Sequence, residues 1–156
     1  SSADLSAQGG YVIVSVWVDM ADKPKILVID DEAEFTKTLE QFLSARGYEV
    51  HVALTGSSGL ELVDSHKPAV VLSDLKLPGM DGDELLRRIR QRHPTTHVIV
   101  ITAYNDGGKT QERLLALGAY AHFYKPLSSL RDLSETIKQA LAAVQDSRLR
   151  TREPRW

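Results

Sequence analysis

No cysteine occurs anywhere in the chain. That removes disulfides, thiolate zinc sites and thiol catalysis, and it fits a reducing compartment. No apolar run approaches the ~18 residues that a spanning helix needs. The apolar stretch Tyr11–Val18 is too short, contains Ser15 and lacks the basic start of a signal peptide. Neither sign of charge dominates. The formal net charge is −2, so no basic field points to nucleic acid or to an anionic membrane. No internal repeat is present. What is there is ordinary: 156 residues, 42% apolar and 26% charged, enough for one globular domain with tails. A cytoplasmic location is expected.

Residues 1–22 differ from the rest of the chain. They open Ser-Ser-Ala-Asp and contain Gly9-Gly10, and Met20 reads as a natural start behind an expression-derived or misannotated leader. A tail without order is expected there. The rival is an extra strand, since Val12, Val14, Val16 and Val18 alternate with other residues and form one valine face. Residues 23–144 carry the domain. Residues 145–156 read as a helix extension or linker that ends before Pro154.

From Lys25 a regular alternation begins. Short apolar runs of strand type fall at Lys25–Ile29, Tyr48–Ala53, Ala69–Ser73, His97–Ile101 and Ala119–Tyr124. Between and after them, helical spacing of apolar residues predicts helices over Ala33–Ala45, Ser57–Ser65, Asp83–Arg92, Lys109–Leu117 and Ser129–Val144. Gly47, Pro68, Pro94 and Gly118 punctuate them, and Ser128 or Ser129 can cap the last helix. Leu77–Gly82 reads as a loop. Strand-helix alternation of this kind implies an α/β fold, a five-stranded parallel sheet with helices on both faces. In such open sheets, sites form beyond the carboxyl ends of the strands.

Those ends carry chemistry. After the first strand come Asp30, Asp31 and Glu32; after the third, Asp74; after the fourth, Thr102; after the fifth, Lys125 and Pro126. Grouped carboxylates repel and call for a cation. Oxygen ligands from Asp30, Asp31 and Asp74 suit a hard ion such as Mg²⁺. A metal-neutralised carboxylate can act as a nucleophile toward phosphorus. Lys125 can pair with one oxygen of the product as a point charge, and the Thr102 hydroxyl can donate to another. Each residue alone has a plainer reading. An acidic pair after a strand often caps a helix, Asp74 can start a turn, Thr102 can close one, and a lysine before proline is usually solvated. Their joint placement at four strand ends favours the chemical reading.

Four segments, Ile26–Glu32, Val71–Gly82, Ile101–Ala103 and Tyr124–Pro126, together resemble the receiver domain of bacterial response regulators. The resemblance covers about Lys23 to Val144. It implies the doubly wound flavodoxin-like sheet with strand order 2-1-3-4-5. It further implies that Asp74 accepts a phosphoryl group from a sensor histidine kinase or a histidine phosphotransfer protein. Asp31 and Asp74 would bind Mg²⁺ with the backbone carbonyl of Lys76, and Asp30 would act partly through water. Thr102 and Lys125 would respond to the phosphoryl group. The surface of the fourth helix, fifth strand and fifth helix would then change partners, which include an output domain, a downstream protein or a second copy in a phosphorylation-dependent homodimer. The domain would be a phosphoacceptor with slow self-dephosphorylation rather than an enzyme proper.

One position departs from the pattern. A ring three residues before the lysine swings inward in this family, and here it is His122 in place of the commoner tyrosine or phenylalanine. It either rotates as that ring does or is a surface residue with a weakly coupled switch. Strand alternation puts Tyr124 on its face and Phe123 on the other. Lys76 and Tyr104, two residues beyond Asp74 and Thr102, are expected to flank the phosphoryl group, with Tyr104 screening attacking water. His51, His66, His93 and His97 sit on different elements and read as structural or solvated. Gly107-Gly108 lacks the neighbours of a phosphate-binding loop and reads as a mobile entry to the fourth helix. Three other functions compete. A Mg-dependent aspartyl phosphatase of the haloacid dehalogenase type wants Asp-x-Asp after its first strand. A flavin carrier wants a phosphate loop there. A degenerate receiver used only for binding would not keep the intact acidic, hydroxyl and lysine set.

Overall fold

A computed structural model of the protein describes residues 23–152, with side chains through Ala143. The expected leader at residues 1–22 and the last residues of the expected linker, 153–156, lie outside the described residues. Five strands form one parallel sheet: β1 (Lys25–Ile29), β2 (Glu49–Ala53), β3 (Val70–Ser73), β4 (His97–Thr102) and β5 (Ala121–Tyr124). The helices are α1 (Ala33–Ser44), α2 (Gly56–His66), α3 (Gly82–Arg92), α4 (Lys109–Ala116) and α5 (Leu130–Arg152). The spatial order is β2-β1-β3-β4-β5, as expected.

The central strands are apolar throughout because both faces are covered. Successive side chains alternate between two cores. Leu27, Ile29, Val71, Val98 and Val100 meet Leu60 and Val63 of α2, Leu85, Leu86 and Ile89 of α3, and Leu114 of α4. Ile26, Val28, Val70, Leu72, Ile99 and Ile101 meet Leu39 and Leu43 of α1 and Leu133, Ile137 and Ala140 of α5. Phe123 packs on this second core, opposite His122 and Tyr124, as strand alternation requires. Ser129 caps α5 by accepting from the Asp132 backbone N–H at 3.1 Å. That helix runs on to Arg152, beyond the expected end of the domain at Val144.

The segment expected as a plain loop holds a small antiparallel pair. Lys76–Leu77 lies against Met80–Asp81, with Lys76 opposite Asp81. Pro78 and Gly79 make the turn, and Gly79 takes φ +75 as a type II turn requires. Alternation is not visible over two residues, so this pair left no periodic signal. Gly82 then packs directly on the chain leaving β3. A Cβ there would lie 2.6 Å from Leu75 Cα and 2.9 Å from the Asp74 carbonyl oxygen. Gly82→Ala is therefore expected to cost about 1–3 kcal/mol of stability. Chemical denaturation measures this, and an unchanged midpoint would show that the loop yields freely.

Candidate functional site

β1 and β3 are neighbours, and the chain runs from β1 to β2 on one side and from β3 to β4 on the other, which opens a crevice at their carboxyl ends. Parallel register sets Ile29 beside Ser73, and the Asp74 N–H donates to the Ile29 carbonyl at 3.0 Å. Asp30 and Asp74 therefore emerge side by side. Both are nearly buried, at 2% and 7% exposure, while Asp31 is exposed. Asp30, Asp31 and Asp74 bring carboxylate oxygens within 4.8 Å of one another, the one such group among the described residues.

Each buried carboxylate has fixed partners. Asp30 Oδ1 accepts from the Glu32 N–H at 2.9 Å, which leads the chain into α1. Asp74 Oδ1 accepts from the Leu75 N–H at 2.6 Å and the Lys76 N–H at 3.3 Å. Lys125 closes the cluster. Its Nζ lies 2.6 Å from Asp30 Oδ2, 3.1 Å from Asp74 Oδ2 and 3.1 Å from Glu32 Oε1. It also stands 4.5 Å from the centre of the Phe35 ring. Burial pulls the Lys125 pKa down, but hydrogen bonds to Asp30, Asp74 and Glu32 outweigh it and hold the ammonium well above its usual range. Burial pushes the Asp30 carboxyl up, and its hydrogen bond with Lys125 offsets part of that rise. The Asp30–Asp31–Asp74 set is all oxygen, partly buried and open on the Asp31 side, which fits a hard divalent cation.

Thr102 ends β4 and is 1% exposed. Its Oγ1 accepts from the Tyr104 N–H at 3.2 Å, so the hydroxyl proton remains to be donated. Its backbone carbonyl accepts from the Lys125 N–H at 2.9 Å, which ties the two residues together. Lys76 and Tyr104 do meet: the ammonium lies 4.8 Å from the ring centre. They line a cleft of about 150 Å³ with Leu75, Asp81, Asp83 and Arg113.

Sequence reasoning misses five side-chain contacts. Glu32 reads in the sequence only as a third acid, and its partner Lys125 lies 93 residues away. Asp83, 6% exposed in the first turn of α3, forms an ion pair with Arg113 of α4. His51 and His66, on β2 and α2, meet edge to face with ring centres 4.1 Å apart. His93 instead pairs with Asp64 at 2.8 Å, and His97 rests against Tyr120 at 4.8 Å. His122 is half-buried. Both ring nitrogens are buried without a hydrogen-bond partner, and the ring meets Tyr124 edge to face at 4.5 Å.

The fold and site define an α/β domain with an acidic, lysine-closed site at its topological switch point. The family model described as response regulator receiver domain matches residues 26–138. The chain belongs to that family, whose members are phosphoryl-accepting switches of two-component signalling. It is 35% identical over 117 residues to sporulation initiation phosphotransferase F of Bacillus subtilis (strain 168), covering 75% of this chain and 93% of that one. It is 34% identical to the regulatory protein AtoC of Escherichia coli (strain K12), but spans only 25% of AtoC's length. Among solved structures it is similar to a CheY-like receiver domain protein from Methanospirillum hungatei JF-1, with TM-score 0.76 and 32% identity, over 81% of this chain and 99% of that one.

Burial lowers the pKa of both His97 and His122 below the ordinary 6.5, against the opposing charge of Asp106 at His122. The folded chain then holds fewer protons than the unfolded chain just below pH 6.5. Stability from these rings is full above that value and is lost as the pH falls through the folded-state pKa values. His122→Phe should flatten this part of the stability profile, measured by denaturation across pH. A profile with the wild-type slope would show that His122 protonates freely in the folded state.

Proposed function

We propose that Asp74 is the phosphoryl acceptor and that Asp30, Asp31, Asp74 and the Lys76 carbonyl hold Mg²⁺ beside it. The observation that carries this reading is the Lys125 ammonium shared by Asp30 and Asp74, with Asp31 in reach. A bound Mg²⁺ would supply the positive charge that lets three carboxylates and a phosphoryl group share one crevice. The donor is the phosphohistidine of a sensor histidine kinase or phosphotransfer protein. Its P–N bond breaks as a P–O bond to the Asp74 carboxylate forms. The imidazole leaves with the P–N electron pair, its other nitrogen already protonated. Lys125 donates to one phosphoryl oxygen and the Thr102 hydroxyl to another. The backbone N–H groups of Leu75 and Lys76 keep the Asp74 carboxylate aimed throughout.

A cleft of about 500 Å³ beside the site supports a protein partner. It is lined by Glu32, Phe35, Thr38, Lys125, Leu127 and Leu130, so it joins an apolar floor to the charged mouth of the site. Among the described residues no helix is long and apolar enough to cross a membrane, and we place this exchange in the cytoplasm. The output, whether an attached domain, a downstream protein or a second copy, belongs to the face of α4, β5 and α5.

The chemistry is tested by incubating the protein with Mg²⁺ and a small-molecule phosphodonor and measuring intact mass. One phosphoryl adduct is expected on the wild type and none on Asp74→Ala. A folded wild type that gains no adduct would move the chain to a binding-only role. The half-exposed Tyr104 ring beside Lys76 screens the phosphoryl group from in-line water. Tyr104→Ala is therefore expected to lose its phosphoryl group several-fold faster, read from mass against time. Equal or slower loss would contradict the screen.

A further inference from the structure

The Lys125 ammonium is paired with three carboxylates, but the three are unlike. Asp30 and Asp74 are buried, belong to the cation-binding trio and are pinned by backbone N–H groups. The Glu32 side chain is 62% exposed and is outside the trio. Its backbone is fixed, because its N–H is held by Asp30 and it stands at the N-cap of α1. Its carboxylate makes no capping hydrogen bond there, so it is free to follow the ammonium.

An ammonium and a divalent cation compete for the carboxylates of Asp30 and Asp74. Like charges a few ångströms apart repel by several kcal/mol even at an effective dielectric constant near 20. The Lys125 side chain is 8% exposed, with Phe35 under its ammonium. The exposed acceptor already in contact with the ammonium is Glu32. We propose that Glu32 is a positioning residue for Lys125: it receives the ammonium displaced from Asp30 and Asp74 and keeps it within reach of the phosphoryl oxygens. It thereby helps to set the Mg²⁺ affinity of the site. The proposal rests on the Mg²⁺ site at Asp30, Asp31 and Asp74.

Without the Glu32 carboxylate the ammonium stays on Asp30 and Asp74 and competes with the metal. Glu32→Gln should raise the Mg²⁺ dissociation constant about two- to five-fold, the range of a partly exposed ion pair. Glu32→Asp separates reach from charge. It keeps the negative charge but is one methylene short, so it should weaken Mg²⁺ as Glu32→Gln does. If Glu32 acts only as a general negative charge, Glu32→Asp will bind Mg²⁺ like the wild type, and the proposal is overturned. Isothermal titration with Mg²⁺ gives the constants. NMR of the Lys125 side chain during the same titration gives a second readout. In the wild type its Nζ resonance should move with Mg²⁺ and stay protected from exchange; in both variants it should stay protected until Mg²⁺ is bound and lose that protection at saturation. Unchanged constants and resonances in the variants would refute the role of Glu32 alone. A wild type that binds no Mg²⁺ would remove the metal site itself, and the role of Glu32 with it.

Discussion

Carboxylates brought together at the end of a sheet need positive charge among them, and in this chain the Lys125 ammonium supplies the first of it. Strand order makes the problem: β1 beside β3 forces Asp30 against Asp74. Strand order also supplies the answer, since β5 pairs Tyr124 with Thr102 and delivers Lys125 to the same edge. At separations near 3 Å and an effective dielectric constant of about 20, each contact is worth on the order of 5 kcal/mol before desolvation. Exposed pairs such as Arg88 with Glu84 on α3 contribute only about 0.3–0.5 kcal/mol. The charge balance of the domain is therefore decided at the site and little affected by its surface.

That balance explains the division between rigid and adaptable parts. Asp30, Asp74 and Thr102 are buried and each is tied to backbone groups, so their positions follow the sheet. Asp31, Glu32, Lys76 and Tyr104 are exposed or half-buried at the mouth. The proposed chemistry, which adds a metal ion and then a phosphoryl group, needs both kinds. The buried set holds the geometry, because a displaced acceptor carboxylate would lose orientation. The outer set adjusts, because successive charges must be accommodated without rebuilding a packed core.

The fold was legible because its signals are periodic or punctuated. Doubly buried strands such as Val98–Ile101 read as apolar runs, and α5 shows its stripe at Leu130, Leu133 and Ile137. The site was legible through residues at strand ends, since topology alone sends Asp30, Asp74, Thr102 and Lys125 to one edge. Contacts between distant side chains were not. Strand ends put Glu32 and Lys125 on one edge without pairing their side chains, and nothing near Asp83 announces Arg113, because helix faces give no register between one helix and another. The Lys76–Asp81 pair was too short to show alternation. His122 was readable as a position on β5 but not as an environment, since burial of its nitrogens depends on the elements around it.

His122 and Thr102 stand on opposite sides of the same balance. Val100 pairs with His122 and Thr102 with Tyr124, so the hydroxyl nearest the chemistry and the orphaned imidazole lie on neighbouring strands. Thr102 retains an unused donor. His122 retains an unused donor and an unused acceptor, both buried. A buried polar group without a partner costs about 1–3 kcal/mol. The site is therefore stable where its charges are paired and costly one strand away, where an imidazole is not. Any rearrangement of β4 and β5 that gave the imidazole a partner or water would recover that cost. An imidazole at this position thus carries a polar driving force that a phenylalanine would lack.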